Sequence, residues 1–150
     1  MSAQGNGTEQ IHASAVSVNG RGCLILGASG SGKSGLALEL LALGAGLIAD
    51  DQVVLSAADG VLYLTAPDRM RGVIEARHFG LIEVPPIEDP VPCRLVIDLD
   101  QASERLPPLR SRDLLGISCP VIFGLNAPGL ASAIVVLLRS GRLLDPDQGL

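Results

Sequence analysis

The chain has 150 residues, 47% of them hydrophobic, and a formal charge of −5. That length supports one domain with a real core, and the acidic balance argues against a general nucleic-acid binder, which needs a basic face. No apolar run reaches the ~20 residues of a membrane-spanning helix, so no membrane partner is expected. Residues 1–8 and 144–150 read as flexible tails around a single folded domain over residues 9–143. The polar start of the chain is unlike a secretory leader. Residues 11–18, small and β-branched, predict a strand, and Asn19-Gly20 a tight turn into a second strand over residues 22–26. A glycine-rich loop follows, then a helix to about residue 43 that ends at Gly44 and Gly46. Residues 47–49 form a short buried strand ending in Asp50-Asp51. Residues 53–56 and 61–65 flank Ala58-Asp59-Gly60 as a hairpin. Residues 67–71 read as a loop and 73–84 as extended chain. Four prolines within residues 85–92 exclude a helix there. Residues 94–99 and 119–123 predict strands separated by the Pro107-Pro108 break, and residues 127–139 a closing helix.

The loop carries the chemistry. Gly27, Ala28, Ser29, Gly30, Ser31, Gly32, Lys33 and Ser34 match the P-loop pattern G-x-x-x-x-G-K-[ST] without a mismatch. Glycines let backbone N–H groups converge on phosphate oxygens, and the next helix adds the partial positive charge of its N-terminus. Lys33, the only lysine in the chain, is placed to reach the outer phosphates, and the Ser34 hydroxyl to join a Mg²⁺ shell. A strand before the loop and a helix after it are the context this motif requires.

Phosphoryl transfer also needs a carboxylate for the metal and a group to act on the nucleophile. Two strand ends compete for that work. One is Asp50-Asp51, an adjacent pair suited to handling a proton. The other is Asp98, at the end of Leu95-Val96-Ile97-Asp98, which resembles a Walker B strand. Cys23, Cys93 and Cys119 are far apart, match no metal spacing and lie in apolar runs. They read as buried reduced thiols, which suits a cytoplasmic protein.

His12 before a strand, GASGSGKS, the helix GLALELLALG and then LIADD resemble the catalytic domain of HPr kinase/phosphorylase. So do Glu75-Ala76-Arg77-His78-Phe79-Gly80-Leu81-Ile82, in place of the family's E-I-R-G-L-G-I-I, and Pro128-Gly129. The resemblance covers about residues 11–139. It implies an α/β P-loop fold of the HPr kinase and phosphoenolpyruvate carboxykinase-like type, a mixed sheet with flanking helices, in a short form without the family's N-terminal domain. It further implies an ATP- and Mg²⁺-dependent serine kinase acting on an HPr-like phosphocarrier protein of the phosphotransferase system, assembled as a homohexamer.

The resemblance also assigns roles. Lys33 holds the transferring phosphate; Ser34, Glu75 and Asp50 serve the metal. Asp51 takes the serine proton beside His12, and Arg77 and Arg105 stabilise phosphoryl charge. The family's loop reads basic-P-G-R-N and is tied to the reverse reaction. Here Ala127 and Leu130 replace both basic residues, so phosphorolysis is expected to be weak or lost. The rival readings are a small-molecule P-loop kinase and a non-catalytic nucleotide-binding regulator.

Overall fold

The computed structural model describes residues 7–147. Its spine is β9 (Val91–Ala102), whose run from Leu95 to Leu99 is buried. On one side β3 (Arg21–Leu26) lies parallel to it, with Leu24 opposite Val96. On the other side β9 has two partners. β6 (Val61–Thr65) pairs antiparallel with its first two residues, and β11 (Ile117–Leu125) runs parallel to its second half. The nine-stranded sheet therefore forks at β9. One arm continues through β3 to β2 (Ser14–Val18) and β4 (Gly46–Ala49), and through β11 to β10 (Arg110–Leu114). The other continues through β6 to β5 (Gln52–Ala58) and β1 (Thr8–His12). A separate hairpin joins β7 (Val73–Ala76) to β8 (Gly80–Glu83).

Side-chain alternation sets the layers. Cys23 and Ile25 of β3 pack on the helix side with Leu36 and Leu40 of α1 (Lys33–Ala42) and Ile134 and Leu138 of α2 (Leu130–Ser140). Leu24 and Leu26 face the other way, against Val53, Leu55, Leu62 and Leu64 of the β5–β6 arm. β3 is thus buried on both faces, which explains its unbroken apolar run. Both helices cover one face; strands cover the other. Within α1 the buried residues are Lys33, Leu36, Ala37 and Leu40, one stripe at helical spacing. Gly44, at φ 104, ends it, with its N–H bonded to Leu41 O and that of Ala45 to Leu40 O.

Several expectations are refined. The strand expected over residues 11–18 is two strands, because at Ala13 the chain crosses from one arm of the fork to the other. The stretch expected to be extended over residues 73–84 turns back at Arg77-His78-Phe79, with His78 at φ 76 and the Phe79 N–H bonded to Ala76 O. β10 was not foreseen. Its turn is Leu115-Gly116, both at positive φ, and a leucine there hides the turn signal that Asn19-Gly20 and Asp59-Gly60 display. The closing helix starts at Leu130 rather than 127, since Pro128-Gly129 forms the turn before it. Of the expected tails, residues 1–6 and 148–150 lie outside the described residues, and Thr8 already belongs to β1. All three cysteines are free and buried, as expected. Among the described residues no helix is long and apolar enough to cross a membrane.

Candidate active site

β3 delivers the chain into the glycine-rich loop, and α1 begins at its far end. The residue before α1, Gly32, has φ 102 and gives no side-chain cap, and no acidic residue lies in the first turn. The first N–H groups of α1 are therefore left for an outside acceptor. A Cβ at Gly27 would collide with the Ser31 side chain, so this position accepts only glycine. Lys33 is 6% exposed, and its Nζ donates to Gly27 O at 2.7 Å and Ala28 O at 3.0 Å. Among the described residues its hydrogen bonds go only to carbonyls of its own loop. The Ser31 hydroxyl is buried without a hydrogen-bond partner among the described residues.

The base of the loop is tied down from β9. The Ala28 N–H donates to both carboxylate oxygens of Asp100, at 3.1 and 3.0 Å. The Asp100 N–H in turn donates to Asp98 Oδ1 at 2.9 Å, and Arg112 Nη1 reaches Asp98 Oδ2 at 3.4 Å. Sequence reading missed Asp100 and Arg112. No local signal joins Asp100 to a loop 72 residues earlier. The strand reading of residues 94–99 holds, and of the two competing strand-end carboxylates it is not Asp98 that contacts the loop. Its carboxylate serves Asp100 and Arg112, and the one bonded to Ser34 is Asp50.

Asp50 is 5% exposed and fully engaged. Ser14 Oγ and Ser34 Oγ donate to its Oδ1 at 2.8 and 2.7 Å, and the Glu75 N–H donates to its Oδ2 at 3.1 Å. Asp51 follows in a three-residue γ-turn. Its φ is 71, and the Gln52 N–H bonds to Asp50 O at 2.8 Å across it. This strained geometry turns the Asp51 side chain away from Asp50, and its Oδ1 meets His12 Nδ1 at 3.2 Å. The reason lies in the fork. The chain crosses between the arms twice, at residues 12–14 and at residues 50–52, and the Ala13 N–H bonds to Asp51 O at 3.2 Å. Pairing of His12 with Gln52 fixes the register of the two crossings. Ser14, the third residue missed from sequence, is carried to Asp50 by the same crossing.

These elements enclose a cleft of about 350 Å³ lined by His12, Ser14, Ser29, Gly30, Gly32, Lys33, Ser34, Asp51, Glu75 and Arg77. The loop, His12, Asp51, Glu75 and Arg77, picked from four separate segments, thus come together. Arg105 lies in the exposed connection after β9 and does not line the cleft. The donor set fits Mg²⁺: a hydroxyl and a carboxylate lie in contact, both hard oxygen ligands, with Glu75 nearby. Among the described residues no group of three His, Cys, Asp or Glu side chains forms a protein-only metal site. Mg²⁺ bound with one or two carboxylates and substrate phosphates needs none. The uncapped helix, the open glycines and the unpartnered Ser31 hydroxyl likewise fit the phosphates of a nucleotide.

Residues 5–104 match the family model described as HPr Serine kinase C-terminal domain. The chain belongs to this family. Among curated relatives of this HPr kinase domain, the HPr kinase/phosphorylase of Clostridium novyi (strain NT) is 39% identical over 137 residues, covering 90% of the chain and 44% of the relative. That of Bordetella pertussis (strain Tohama I) is 36% identical over 142 residues, covering 86% and 46%. The chain spans less than half the length of the curated relatives it matches. The structure of the Hpr(Ser) kinase/phosphatase from Coxiella burnetii superposes on the domain with a TM-score of 0.74 at 27% identity, covering 87% of this chain and 93% of that one. The expected α/β fold of the HPr kinase type, with its mixed sheet and flanking helices, is thereby established.

Proposed function

We propose that this domain is an ATP-dependent protein serine kinase whose substrate is an HPr-like phosphocarrier of the phosphotransferase system. The observation that supports this best is the His12–Asp51 pair at 3.2 Å in the same cleft as Lys33 and Ser34. When bound, Mg²⁺–ATP supplies the phosphoryl group and a metal that neutralises its charge. The protein contributes the rest. The loop N–H groups and Lys33 orient the phosphates and stabilise charge that grows during transfer. Asp50, with Ser34 and Glu75, would hold the metal. Asp51 receives the proton of the incoming serine hydroxyl, and His12 fixes the carboxylate that does so. Arg77 faces the transferring group from the β7–β8 turn. Arg105 lies outside the cleft. A cytoplasmic location and a homohexameric assembly belong to the same proposal and rest on family membership.

The reverse reaction, attack of inorganic phosphate on the phosphoserine, lacks support from side chains. The second cleft beside the loop is lined by Ser31, Gly32, Ala127, Leu130 and Ser132, and among the described residues its only charged lining residue is Glu39. A free phosphate meets backbone dipoles there and a repelling carboxylate. The decisive experiment follows ³²P from ATP to an HPr-like carrier from the same cell, with the phosphorylated residue located by mass spectrometry. Transfer to a serine is expected. ATP turnover without a labelled carrier, or label on a small molecule, overturns the reading.

A further inference from the structure

At the far end of β3 from the phosphate loop lies a third cavity, of about 520 Å³. Arg21, on its rim, starts the strand that ends at Leu26, so the two sites are roughly 17 Å apart along it, at ~3.3 Å per residue. Arg21, Arg94, Arg110 and Arg142 line the cavity, and no Asp or Glu does. Four of the chain's 11 basic residues thus converge on one spot of a protein with net charge −5. Two of the four are committed. Arg21 Nη1 donates to Leu138 O at 2.9 Å and Arg139 O at 3.1 Å, closing the C-terminal end of α2. Arg110 pairs with Glu104, and its guanidinium lies 4.3 Å from the centre of the Phe123 ring. Arg94 and Arg142 are exposed and have no hydrogen-bond or ion-pair partner among the described residues.

Between these cations the surface is apolar. Leu95 and Leu138 form its buried floor, while Leu109 and Leu143, 52% and 42% exposed, stand at its rim. Exposed leucines cost solvation free energy, and clustered guanidinium groups repel one another. One ligand chemistry answers both. We propose that this cavity binds a small amphiphilic anion, with a carboxylate or phosphate head on Arg94 and Arg142 and an apolar body over the leucines. Its volume lies within the ~300–1,000 Å³ range of small-molecule sites. The site is separate from the phosphate loop and does not depend on the proposed kinase activity.

The test uses the 150-residue chain with octanoate and octyl phosphate as probes, read by calorimetry and by backbone amide NMR shifts. Saturable binding of at least one probe is expected, with shifts centred on Arg94, Ser111 and Arg142. Preference for octanoate or for octyl phosphate identifies the head group. Octanol, the body without charge, and inorganic phosphate, the charge without body, should bind there at least tenfold more weakly. Arg94→Glu with Arg142→Glu should weaken the preferred probe at least tenfold, and Arg94→Gln with Arg142→Gln by a smaller factor. Neither arginine is buried or bonded, so both variants should fold. The proposal is overturned if octanol binds as well as octanoate, if shifts appear only at the phosphate loop, or if neither double variant changes binding. It is also overturned if this face joins two copies of the chain: self-association in sedimentation, abolished by Arg94→Glu with Arg142→Glu and indifferent to octanoate.

Discussion

Lys33 is a buried cation whose hydrogen bonds go only to loop carbonyls. Its replacement by Ala removes one charge from the phosphates but leaves the backbone donors. Nucleotide binding should therefore weaken modestly, while transfer falls by about 10²–10³, the cost typical of a lost transition-state contact. Calorimetry beside the ³²P assay separates the two effects, and an active Lys33→Ala protein would remove the loop from the mechanism. Asp51→Asn keeps the side-chain shape, and asparagine tolerates its positive φ. It should abolish transfer with Mg²⁺–ATP still bound and with the unfolding midpoint unchanged. Asp98→Asn should do the reverse, sparing much of the activity while lowering stability by about 1 kcal/mol through its bonds to Asp100 and Arg112. The opposite pattern would return the catalytic role to β9. Cys23 offers a test free of catalysis. Burial pushes its thiol from 9.0 up to about 12. As pH rises past 9, the unfolded thiol loses its proton before the folded one does, so this contribution is full below pH 9 and is lost between there and about 12. Urea midpoints should fall over that window, and Cys23→Ala should flatten the fall.

Among the elements, the phosphate loop depends on a strand far from it in sequence. β9 supplies Asp100, whose carboxylate takes the Ala28 N–H, and Asp98, which takes the N–H of Asp100. Asp100 touches no position where a phosphate is expected, so it is a positioning residue. Asp100→Ala should free the base of the loop. Amide exchange at Ala28 should quicken, and nucleotide affinity should drop about fivefold, the equivalent of roughly 1 kcal/mol for one hydrogen-bonded group. Unchanged exchange at Ala28 would show that β3 and α1 hold the loop unaided. The β7–β8 hairpin is tied to the site in the same manner, through the Glu75 N–H on Asp50. Its turn holds His78 at φ 76 and presents Phe79 with 87% exposure, and β8 beside it presents Leu81 with 76%.

At the scale of the molecule, the fork of the sheet brings the site together, and the proposed direction of chemistry turns on the second cleft. The α2 N-terminus offers backbone donors beside the phosphate loop, yet Ala127 and Leu130 bring no charge, and the protein is acidic as a whole. Phosphorylated carrier incubated with enzyme, Mg²⁺ and millimolar phosphate should release little or no pyrophosphate. Release at a rate close to the forward reaction would mean that another cation, Arg77 foremost, recruits the phosphate. Much of this molecule was legible in one dimension. The P-loop, its flanking strand and helix, the Asp50-Asp51 pair and the Asn19-Gly20 and Asp59-Gly60 turns are local, and their chemistry depends on neighbours within a few residues. What the tertiary structure alone decided is which distant groups meet. Asp50 rather than Asp98 bonds to Ser34, and Ser14, Asp100 and Arg112 join the site. The helices share one face of the sheet, and four arginines gather at the other end of β3. Each of these depends on strand order and on where the chain crosses between the arms of the fork. Those are set by long-range burial of apolar faces, which periodicity announces without naming the partner.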